Sequence, residues 1–391
     1  MSKKNPEEKR KQNAKKVYFA SARVLKWKQE ESLPGKLDRL LERMGLPERF
    51  EKDEWVAVKT HFGSVGAHRI IRPVFLAGVV SGLKRAGAKP FVTDTVRING
   101  LDYLDIATRN GINQLSVGAP VVLADGLYGR DNVLVRAGDI LGEIAVASLI
   151  HDAPGMVVCS HIKGHINSGY AGAIKNLAMG GVSALHRGCG WRCGRGAMHS
   201  IGEGRLFWDE DKCQLCYQCE DICPLECISF GKEGEKEKKF QYADERCWRC
   251  GRCTRVCPGH AITHEEADPE QFMQALAEAA QAVMGTFKPG KVIFINFLMG
   301  IQPECDCMPG ADVPVAQDKG ILVSDDLVAV EKASIDMLQG CSPLPDSAAS
   351  DAGLKQGDDI LLELHKKDYR VQIAYARKLG LGSTDYELIQ I

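Results

Sequence analysis

Eight cysteines between Cys213 and Cys257 have the spacing of metal ligands. The pattern Cys-x-x-Cys-x-x-Cys-x-x-x-Cys-Pro occurs there twice and ends at Pro224 and at Pro258. In each copy a short loop can direct the first three thiolates at one iron–sulfur cube, whereas the fourth Cys lies too far along the chain and binds the other cube. The spacing therefore predicts two [4Fe–4S] clusters, one held by Cys213, Cys216, Cys219 and Cys257 and the other by Cys247, Cys250, Cys253 and Cys223.

Zinc or disulfide bonds explain these cysteines less well. A zinc site usually takes two Cys-x-x-Cys pairs with a longer gap, not two triplets each followed by a fourth Cys. Disulfides need an oxidising compartment, which nothing in the sequence indicates. The doubled motif closely resembles the bacterial two-cluster ferredoxins and implies an α+β ferredoxin-like unit over residues 204–267, with halves at 204–233 and 238–267. A further cysteine, Cys227, is predicted to pack inside this unit.

Length and composition are those of an ordinary globular protein. The chain has 391 residues, 45% of them hydrophobic and 26% charged, with a formal net charge of −1. Such a balance argues against nucleic acid as a partner. Residues 1–16 are polar and lysine-rich without an apolar core, and no segment is apolar for about 18 residues, so we expect a disordered basic arm and no membrane insertion. Fifteen cysteines in this setting indicate metal chemistry in a reducing cytoplasm.

Strands and helices alternate on both sides of the cysteine-rich unit. Trp55–His61, Phe91–Asp94 and Met156–Ser160 are short apolar runs that read as buried strands, and helical stretches separate them. This alternation predicts an α/β fold with a mixed or parallel sheet and helices on both faces. Because the same pattern resumes after the unit, the α/β domain is predicted to be discontinuous, with parts at 17–203 and 268–391.

Two segments of this domain are less regular. Glu143–His151 reads as a helix between two predicted strands. Residues 342–357 contain several proline and serine residues, which are typical of turns, and we expect an exposed excursion there.

A glycine-rich segment follows the predicted strand Met156–Ser160. Open α/β sheets bind ligands beyond the carboxyl ends of their strands, and glycine lets the backbone approach a ligand closely. A helix expected from about Ala171 would direct its N-terminus at an anionic group. The glycines do not match a dinucleotide fingerprint, so a purely structural loop is the alternative, and a single His is more often structural. The candidates for catalysis or ligand binding are Lys163, His161, His165 and Lys175, and Lys59 and His61 end an earlier strand similarly.

Cys305 and Cys307 are separated by a single residue, so in an extended segment both sulfur atoms leave on the same side. Such a pair can chelate a metal or attack a substrate, whereas a disulfide between them would be strained. With Cys189 and His199 they form a possible third metal site, in which Cys193 is a substitute ligand. Thiolate and imidazole ligands favour iron, zinc or copper. The alternative is that the two cysteines are core residues and that His199 seats the cysteine-rich unit.

Several motifs together resemble one family. They are His161-Ile-Lys-Gly-His165, Gly172-Ala-Ile-Lys-Asn176, Gly188-Cys189 with Met198-His199, Cys305-Asp-Cys307 and Gly320-Ile-Leu-Val-Ser-Asp-Asp-Leu-Val-Ala. The chain is similar to the uncharacterised Fe–S centre proteins, catalogued as domain of unknown function 362, many of which carry an inserted two-cluster ferredoxin. The resemblance runs from about Val17 over nearly the whole chain. It implies the discontinuous α/β architecture but no reaction. Trp191 and Cys193 depart from the family pattern, in which smaller residues are expected.

Two clusters that exchange ligands lie close together and form a short path for electrons. Their position within another domain indicates a redox protein that delivers electrons to a cofactor or small-molecule site in that domain, and thus a possible oxidoreductase. An external protein would donate or accept the electrons. One alternative is a plain ferredoxin-like carrier that docks a partner enzyme, and another is a protein that handles metal or Fe–S clusters. An additional metal is possible, and flavin is a possibility that no motif supports.

Overall fold

The structure is a computed structural model that describes residues 14–97, 100–199, 206–223, 226–231, 240–244, 247, 251–264, 268–307 and 310–391. The strands in these ranges, numbered in chain order, are β1 Lys15–Ser21, β2 Trp55–Lys59, β3 Lys89–Asp94, β4 Val121–Leu123, β5 Asn132–Arg136, β6 Glu143–Ala147, β7 Gly155–His161, β8 Lys163–His165, β9 Gly169–Ala171, β10 Leu206–Trp208, β11 Ile228–Phe230, β12 Phe240–Tyr242, β13 Ile262–His264, β14 Val292–Leu298, β15 Gly320–Ser324 and β16 Tyr386–Gln390. The helices are Leu33–Arg43, Leu46–Arg49, Pro73–Arg85, Gly100–Arg109, Gln114–Val117, Ser148–His151, Ala173–Gly181, Gly196–His199, Gln218–Asp221, Arg252–Val256, Pro269–Met284, Leu327–Gln339, Ala348–Asp351, Ile360–His365 and Arg370–Lys378, with short 3₁₀ turns at Gln29–Glu31 and Glu210–Lys212.

Eight of the described strands form one central sheet in the order β16-β1-β15-β14-β7-β2-β3-β4. β15 runs antiparallel to both of its neighbours, β1 and β14, and the remaining neighbouring pairs are parallel. Strands from before residue 206 and from after residue 264 contribute to this sheet. The prediction of an α/β fold with a mixed, mostly parallel sheet is therefore confirmed.

The central strands are apolar along their length because helices cover both faces of the sheet. Successive side chains of a strand point to opposite faces. Met156 and Val158 of β7 lie in one apolar core with the Ala173–Gly181 helix, whereas Val157 lies in a second core with the Pro73–Arg85 helix. Buried parallel strands read as continuous apolar runs for this reason, which is why β7 was recognisable from the sequence.

The prediction of a helix over Glu143–His151 is wrong in its first half. Residues Glu143–Ala147 form strand β6, which pairs antiparallel with β5, and the helix covers only Ser148–His151. Short apolar runs do not separate a buried strand from a helix by periodicity. Residues Glu143–Ala147 form a strand because they pair with Asn132–Arg136.

Two further predictions need correction. Lys15 and Lys16 belong to β1, which pairs with β15 and β16, so the predicted arm over residues 1–16 is wrong at its end, and residues 1–13 lie outside the described residues. The segment 342–357 is mostly exposed, as expected, but it contains a short helix and is anchored at one point. Ser347 is buried and caps the Ala348–Asp351 helix by accepting a hydrogen bond from the Ser350 amide.

Residues 206–264, called the cysteine-rich segment below, form two small two-stranded sheets in their described parts. β10 pairs with β13 and β11 pairs with β12, both antiparallel. Cys219, Ile228 and Ile262 form a small buried core between them. Cys227 is buried, as predicted. Cys250 lies outside the described residues.

Candidate functional site

A cavity of about 1140 Å³, counted with its open mouth, lies where β2, β3 and β7 reach their carboxyl ends. This is the edge of an open α/β sheet at which ligands usually bind. The cavity is lined by all four candidate residues and by three of the four residues of the predicted third site: Lys163, His161, His165, Lys175, His199, Cys305 and Cys307.

A buried carboxylate organises one wall of this cavity. Asp94 Oδ1 accepts a hydrogen bond from Lys59 Nζ at 3.0 Å, and its Oδ2 accepts one from the Tyr103 hydroxyl at 2.6 Å and lies 3.0 Å from His61 Nδ1. Burial by itself would raise the pKa of Asp94, but Lys59 and His61 hold that pKa below its usual range. A Cβ atom at Gly180 would collide with Lys59 Nζ, so glycine is needed where the helix passes this ion pair.

A second buried carboxylate, Asp306, lies between Cys305 and Cys307. Asp306 Oδ1 lies 2.8 Å from His161 Nδ1, and Oδ2 accepts a hydrogen bond from Lys163 Nζ at 2.7 Å. Burial opposes ionisation, but Lys163 and His161 hold the pKa of Asp306 below its usual range. Burial likewise opposes the charge on Lys163, and the Asp306 carboxylate outweighs it and raises the pKa of Lys163.

His161 and Lys163 therefore hold the Cys305–Cys307 turn in place. The second ring nitrogen of His161, Nε2, lies 2.8 Å from the carbonyl oxygen of Met299. Both nitrogens of this ring thus face oxygen atoms of the protein. Gln302 Nε2 adds a hydrogen bond to Asp306 at 2.7 Å. Of the four candidates, His161 and Lys163 act as positioning residues in this geometry.

His165 and His199 are neutral imidazoles on the cavity wall. His165 Nδ1 accepts hydrogen bonds from the amides of Asn167 and Ser168 at 3.1 and 3.2 Å, which leaves the proton of the neutral ring on Nε2. Burial, together with the charge of Lys175, lowers the pKa of His165 well below its usual value and that of His199 to about 3. The buried Nδ1 of His199 has no hydrogen-bond partner among the described residues.

The two thiols of Cys305 and Cys307 are in direct contact, with 2.8 Å between their sulfur atoms. Asp306 and Cys307 lie in a turn rather than in the extended segment that we expected. The hydrogen bond between the sulfurs raises the pKa of Cys305 and lowers that of Cys307, and Arg97 and Lys175 lower the latter further. Lys175 Nζ lies 4.0 Å from Cys305 Sγ. The pair thus favours one thiol and one thiolate.

The predicted third metal site does not form as a group of four ligands. Cys189 is joined to Cys193 by a disulfide bond, because the loop between them brings their Cα atoms to 5.8 Å, within disulfide range. The disulfide thus joins two cysteines that were considered as ligands of this site. Within the described ranges, no three His, Cys, Asp or Glu side chains are arranged to hold one metal ion.

Sequence reasoning missed several residues of the cavity. Asp94 ends a predicted strand, so the rule that pointed to Lys59 and His61 could also have found it. No sequence signal marks the arginines, which come from separate loops and from the cysteine-rich segment. Among the described lining residues, seven carry a cationic side chain and two a carboxylate: Lys59, Arg97, Lys163, Lys175, Arg195, Arg252 and Arg255, with Asp94 and Asp306.

The cysteine-rich segment contains a second, smaller cavity. It is lined by the four cysteines predicted to bind the first cluster: Cys213, Cys216, Cys219 and Cys257. Cys257 Sγ accepts a hydrogen bond from the amide of Ala261 at 3.2 Å, and Cys223 Sγ accepts one from the amide of Cys227 at the same distance. In each of the two motifs, the fourth cysteine thus accepts a hydrogen bond from the backbone amide of the residue four positions later.

The fold and the cavity define an α/β protein with a basic pocket at the carboxyl edge of a mostly parallel sheet. Residues 56–336, more than half of the chain, match the family described as Domain of unknown function (DUF362), and the chain belongs to this family. No curated protein matches it. None of the described helices is long and apolar enough to cross a membrane.

Two solved structures show a distant likeness to this chain. The lactate racemase apoprotein from Thermoanaerobacterium thermosaccharolyticum is 13% identical with a TM-score of 0.35, over 76% of this chain and 53% of that one. A protein from Thermotoga maritima is 8% identical with a TM-score of 0.36, over 90% of this chain and 59% of that one. The present chain thus matches little more than half the length of either structure.

Proposed function

We propose that this protein is an iron–sulfur redox protein in which two [4Fe–4S] clusters, bound by the ferredoxin-like unit at residues 204–267, exchange electrons with an anionic small molecule in the basic cavity. Such clusters supply one-electron transfer when bound. The residues of the chain hold the clusters, attract the anion and position proton donors. An external redox protein would donate or accept the electrons.

The surroundings of the cysteines fit the clusters. In a cubane each thiolate binds a different iron, so four sulfurs surround the cluster and do not converge on one point as they do around a single ion. Cys213, Cys216, Cys219 and Cys257 line one small cavity in this manner. The amides that donate to Cys223 and Cys257 are of the kind that stabilises the charge of a cluster and adjusts its potential.

The observation that carries the proposal is that the α/β region and the cysteine-rich segment line the same large cavity. Arg252 and Arg255 flank the predicted ligand Cys253 in the second motif, and both line the large cavity together with Lys175 and Cys305. A ligand in this cavity would therefore lie close to the second cluster. Electron transfer needs such proximity.

The lining of the cavity favours an organic anion as the ligand. Seven cationic side chains against two carboxylates attract negative charge, and both carboxylates are already bound by Lys59 and Lys163. Buried polar atoms normally have a hydrogen-bond partner. Thr60 Oγ1 and His199 Nδ1 are buried and have none among the described residues. His165 and His199 are neutral and can form hydrogen bonds with a ligand at the cavity wall.

The cavity also bears on the two alternatives. A plain electron carrier predicts no deep pocket, whereas this chain has one that contacts the cysteine-rich segment. A cluster-handling protein would use Cys189 with Cys305 and Cys307 to receive iron, but Cys189 is bonded to Cys193. These observations favour an oxidoreductase.

Anaerobic cofactor analysis tests the proposal. Full-length protein purified without oxygen should contain about eight iron and about eight sulfide ions per chain. Cys216→Ser should lose about half of both. Cys341→Ala, which removes a buried thiol of the α/β core, should lose none. Zinc in place of iron, or iron content that is insensitive to Cys216→Ser, would contradict the clusters.

A spectroscopic measurement tests the link to the cavity. The electron paramagnetic resonance spectrum of the dithionite-reduced protein should change when malonate or inorganic phosphate is added as a probe anion. Arg255→Gln should weaken this response by about tenfold in probe concentration, because it removes one cation from the wall. The matched control Arg377→Gln changes an exposed arginine on the Arg370–Lys378 helix and should leave the response unchanged. An equal response in both variants would separate the clusters from the cavity.

A further inference from the structure

We propose that Cys305 and Cys307 are a redox-active dithiol that converts single electrons from the clusters into an electron pair for the bound anion. This inference rests on the proposed function. A Cys305–Cys307 disulfide would take up two electrons and one proton and open to a thiol and a thiolate, and clusters held by the eight cysteines of the ferredoxin-like unit would supply these electrons one at a time. When the disulfide forms again, two electrons and one proton pass to an organic anion that carries a reducible group.

The geometry of the pair requires little motion for this cycle. The sulfur atoms lie 2.8 Å apart, and a disulfide bond is about 2.05 Å long. Asp306, the residue between them, is fixed by Lys163 and His161 through contacts of 2.7 and 2.8 Å. The two thiols are thus held at one place on the cavity wall in both oxidation states.

The surroundings of the pair favour thiol chemistry. Thiol–disulfide exchange needs a thiolate, and nearby cations stabilise one. Lys175 Nζ lies 4.0 Å from Cys305 Sγ, and Arg97 also lines this part of the cavity. The shift in the pKa of Cys307 caused by Cys305, Arg97 and Lys175 agrees with this geometry.

Two other roles for the pair fit the structure less well. Cys305 and Cys307 are not members of the two large apolar cores, although Cys305 is buried, so core packing does not explain them. A metal site would need further ligands, and no group of three suitable side chains is present in the described part of the chain.

The pair also answers a chemical need of the proposed function. Each cluster carries one electron, whereas organic groups are usually reduced by two. A disulfide closed across a single intervening residue is strained, and strained disulfides have the higher reduction potentials that make them good electron acceptors. A site next to the clusters that accepts two electrons therefore matches the one-electron donors, and the dithiol can pass the pair on to a ligand group whose reduction potential is higher than its own.

Differential alkylation of the full-length protein tests this proposal directly. Protein purified without oxygen is equilibrated in mixtures of reduced and oxidised glutathione, whose potential range suits a strained disulfide, and is then quenched with acid and labelled with two successive alkylating reagents. Cleavage after lysine gives the peptide 292–319, in which Cys305 and Cys307 are the cysteines present. Mass spectrometry should show both thiols changing together in a single two-electron transition. Cys159 and Cys341, which are buried singly, should stay reduced.

Variants separate this proposal from the proposed function. Cys305→Ser and Cys307→Ser should each abolish the transition while iron and sulfide stay at about eight per chain. In the wild-type protein, dithionite should open the disulfide at least about tenfold faster than in Cys216→Ser, which lacks one cluster. Circular dichroism checks that each variant is folded.

Three results would overturn the dithiol. They are thiols that never form a disulfide at any setting, a tightly bound metal ion that is lost in Cys307→Ser, and equal opening rates with and without the cluster. The first two leave the iron and sulfide bound by the cysteine-rich segment unchanged, so the clusters and the dithiol can be judged separately.

Discussion

The α/β region and the cysteine-rich segment differ in what holds them together. The α/β region buries two extensive apolar cores, one on each face of the central sheet. The apolar cluster in the described part of the cysteine-rich segment has only three buried members, Cys219, Ile228 and Ile262, with a few aromatic side chains packed at its edge. A unit of about 60 residues is only marginally stabilised by burial, and a core as small as this one leaves it in need of further stabilisation. The comparison indicates that burial of apolar surface stabilises the first region, whereas the second has only a small core of this kind.

Removal of iron should produce the largest difference between the two regions. Because metal-binding free energy is folding free energy in such units, full-length protein stripped of iron by oxidation and chelation should lose the structure of the cysteine-rich segment. Limited proteolysis should then cut this segment at least about tenfold faster, while the α/β region stays resistant. Mass spectrometry of the fragments locates the cuts.

Untreated protein is the control for this experiment. If the α/β region became equally sensitive, the two regions would form one cooperative unit. If neither region changed, the cysteine-rich segment would not depend on its metal.

Within the α/β region, Asp306→Asn should have the next largest effect. The substitution leaves the buried Lys163 without its carboxylate, and breaking such a buried pair typically costs about 3–5 kcal/mol of unfolding free energy. Denaturation by urea, followed by far-UV circular dichroism, measures the loss. Asp312→Asn in the same loop is the control, because this side chain is exposed and should change stability by less than about 0.5 kcal/mol.

Iron content should be the same in Asp306→Asn as in the wild type, because the ion pair belongs to the α/β region. A loss of iron in this variant would show that the two regions depend on each other. A stability loss no larger than that of Asp312→Asn would show that Asp306 does not anchor the cavity wall.

A smaller effect concerns the pH dependence of stability. Glu331 is buried, accepts a hydrogen bond from the Ala173 amide at 2.7 Å, and has its pKa raised by burial to about 7. The folded protein therefore retains a proton that the unfolded chain releases near its ordinary value of about 4.3. The resulting stabilisation is present at low pH and is lost as pH rises through 7. From pH 5 to 8 the loss is about 2–3 kcal/mol.

Glu331→Gln should remove this part of the slope, as measured by urea denaturation at several pH values. Asp125, whose pKa burial also raises, contributes equally to both proteins and cancels in the comparison. Identical slopes in the two proteins would mean that Glu331 is ionised in the folded state. The pH dependence would then belong to other groups.

Local signals in the sequence were sufficient for much of the fold. Strand β7 was visible as an apolar run, and the Pro269–Met284 helix was marked by Pro269 at its first turn and by Asp268, whose side chain accepts a hydrogen bond from the Glu270 amide. Strand β6 was not predictable in this way, because its pairing with β5 depends on tertiary structure. The disulfide between Cys189 and Cys193 likewise depends on a loop geometry that spacing does not reveal.

The residues of the site likewise fall into those that local sequence signals reveal and those that only tertiary contacts bring together. Lys163 and His165 were found because they follow a buried strand, and the rule that ligands bind at carboxyl ends applies to them. The neighbouring wall depends on Arg195 and Arg255, which reach the cavity from separate parts of the chain. No local pattern shows that these residues meet. The contact between His161 and Asp306 could not be predicted for a similar reason, because the two residues are 145 positions apart in the chain.

The contact between His199 and Phe272 has a consequence for how this architecture can vary. Their rings stack 5.3 Å apart, although one precedes the cysteine-rich segment and the other follows it. The chain therefore departs from the sheet and rejoins it at neighbouring points, an arrangement that tolerates whole modules being gained or lost. If a short loop replaced the cysteine-rich segment, the order of the strands would stay the same, and the cavity would lose Arg252 and Arg255 from its lining. Family members with and without such a segment can thus share the same α/β region.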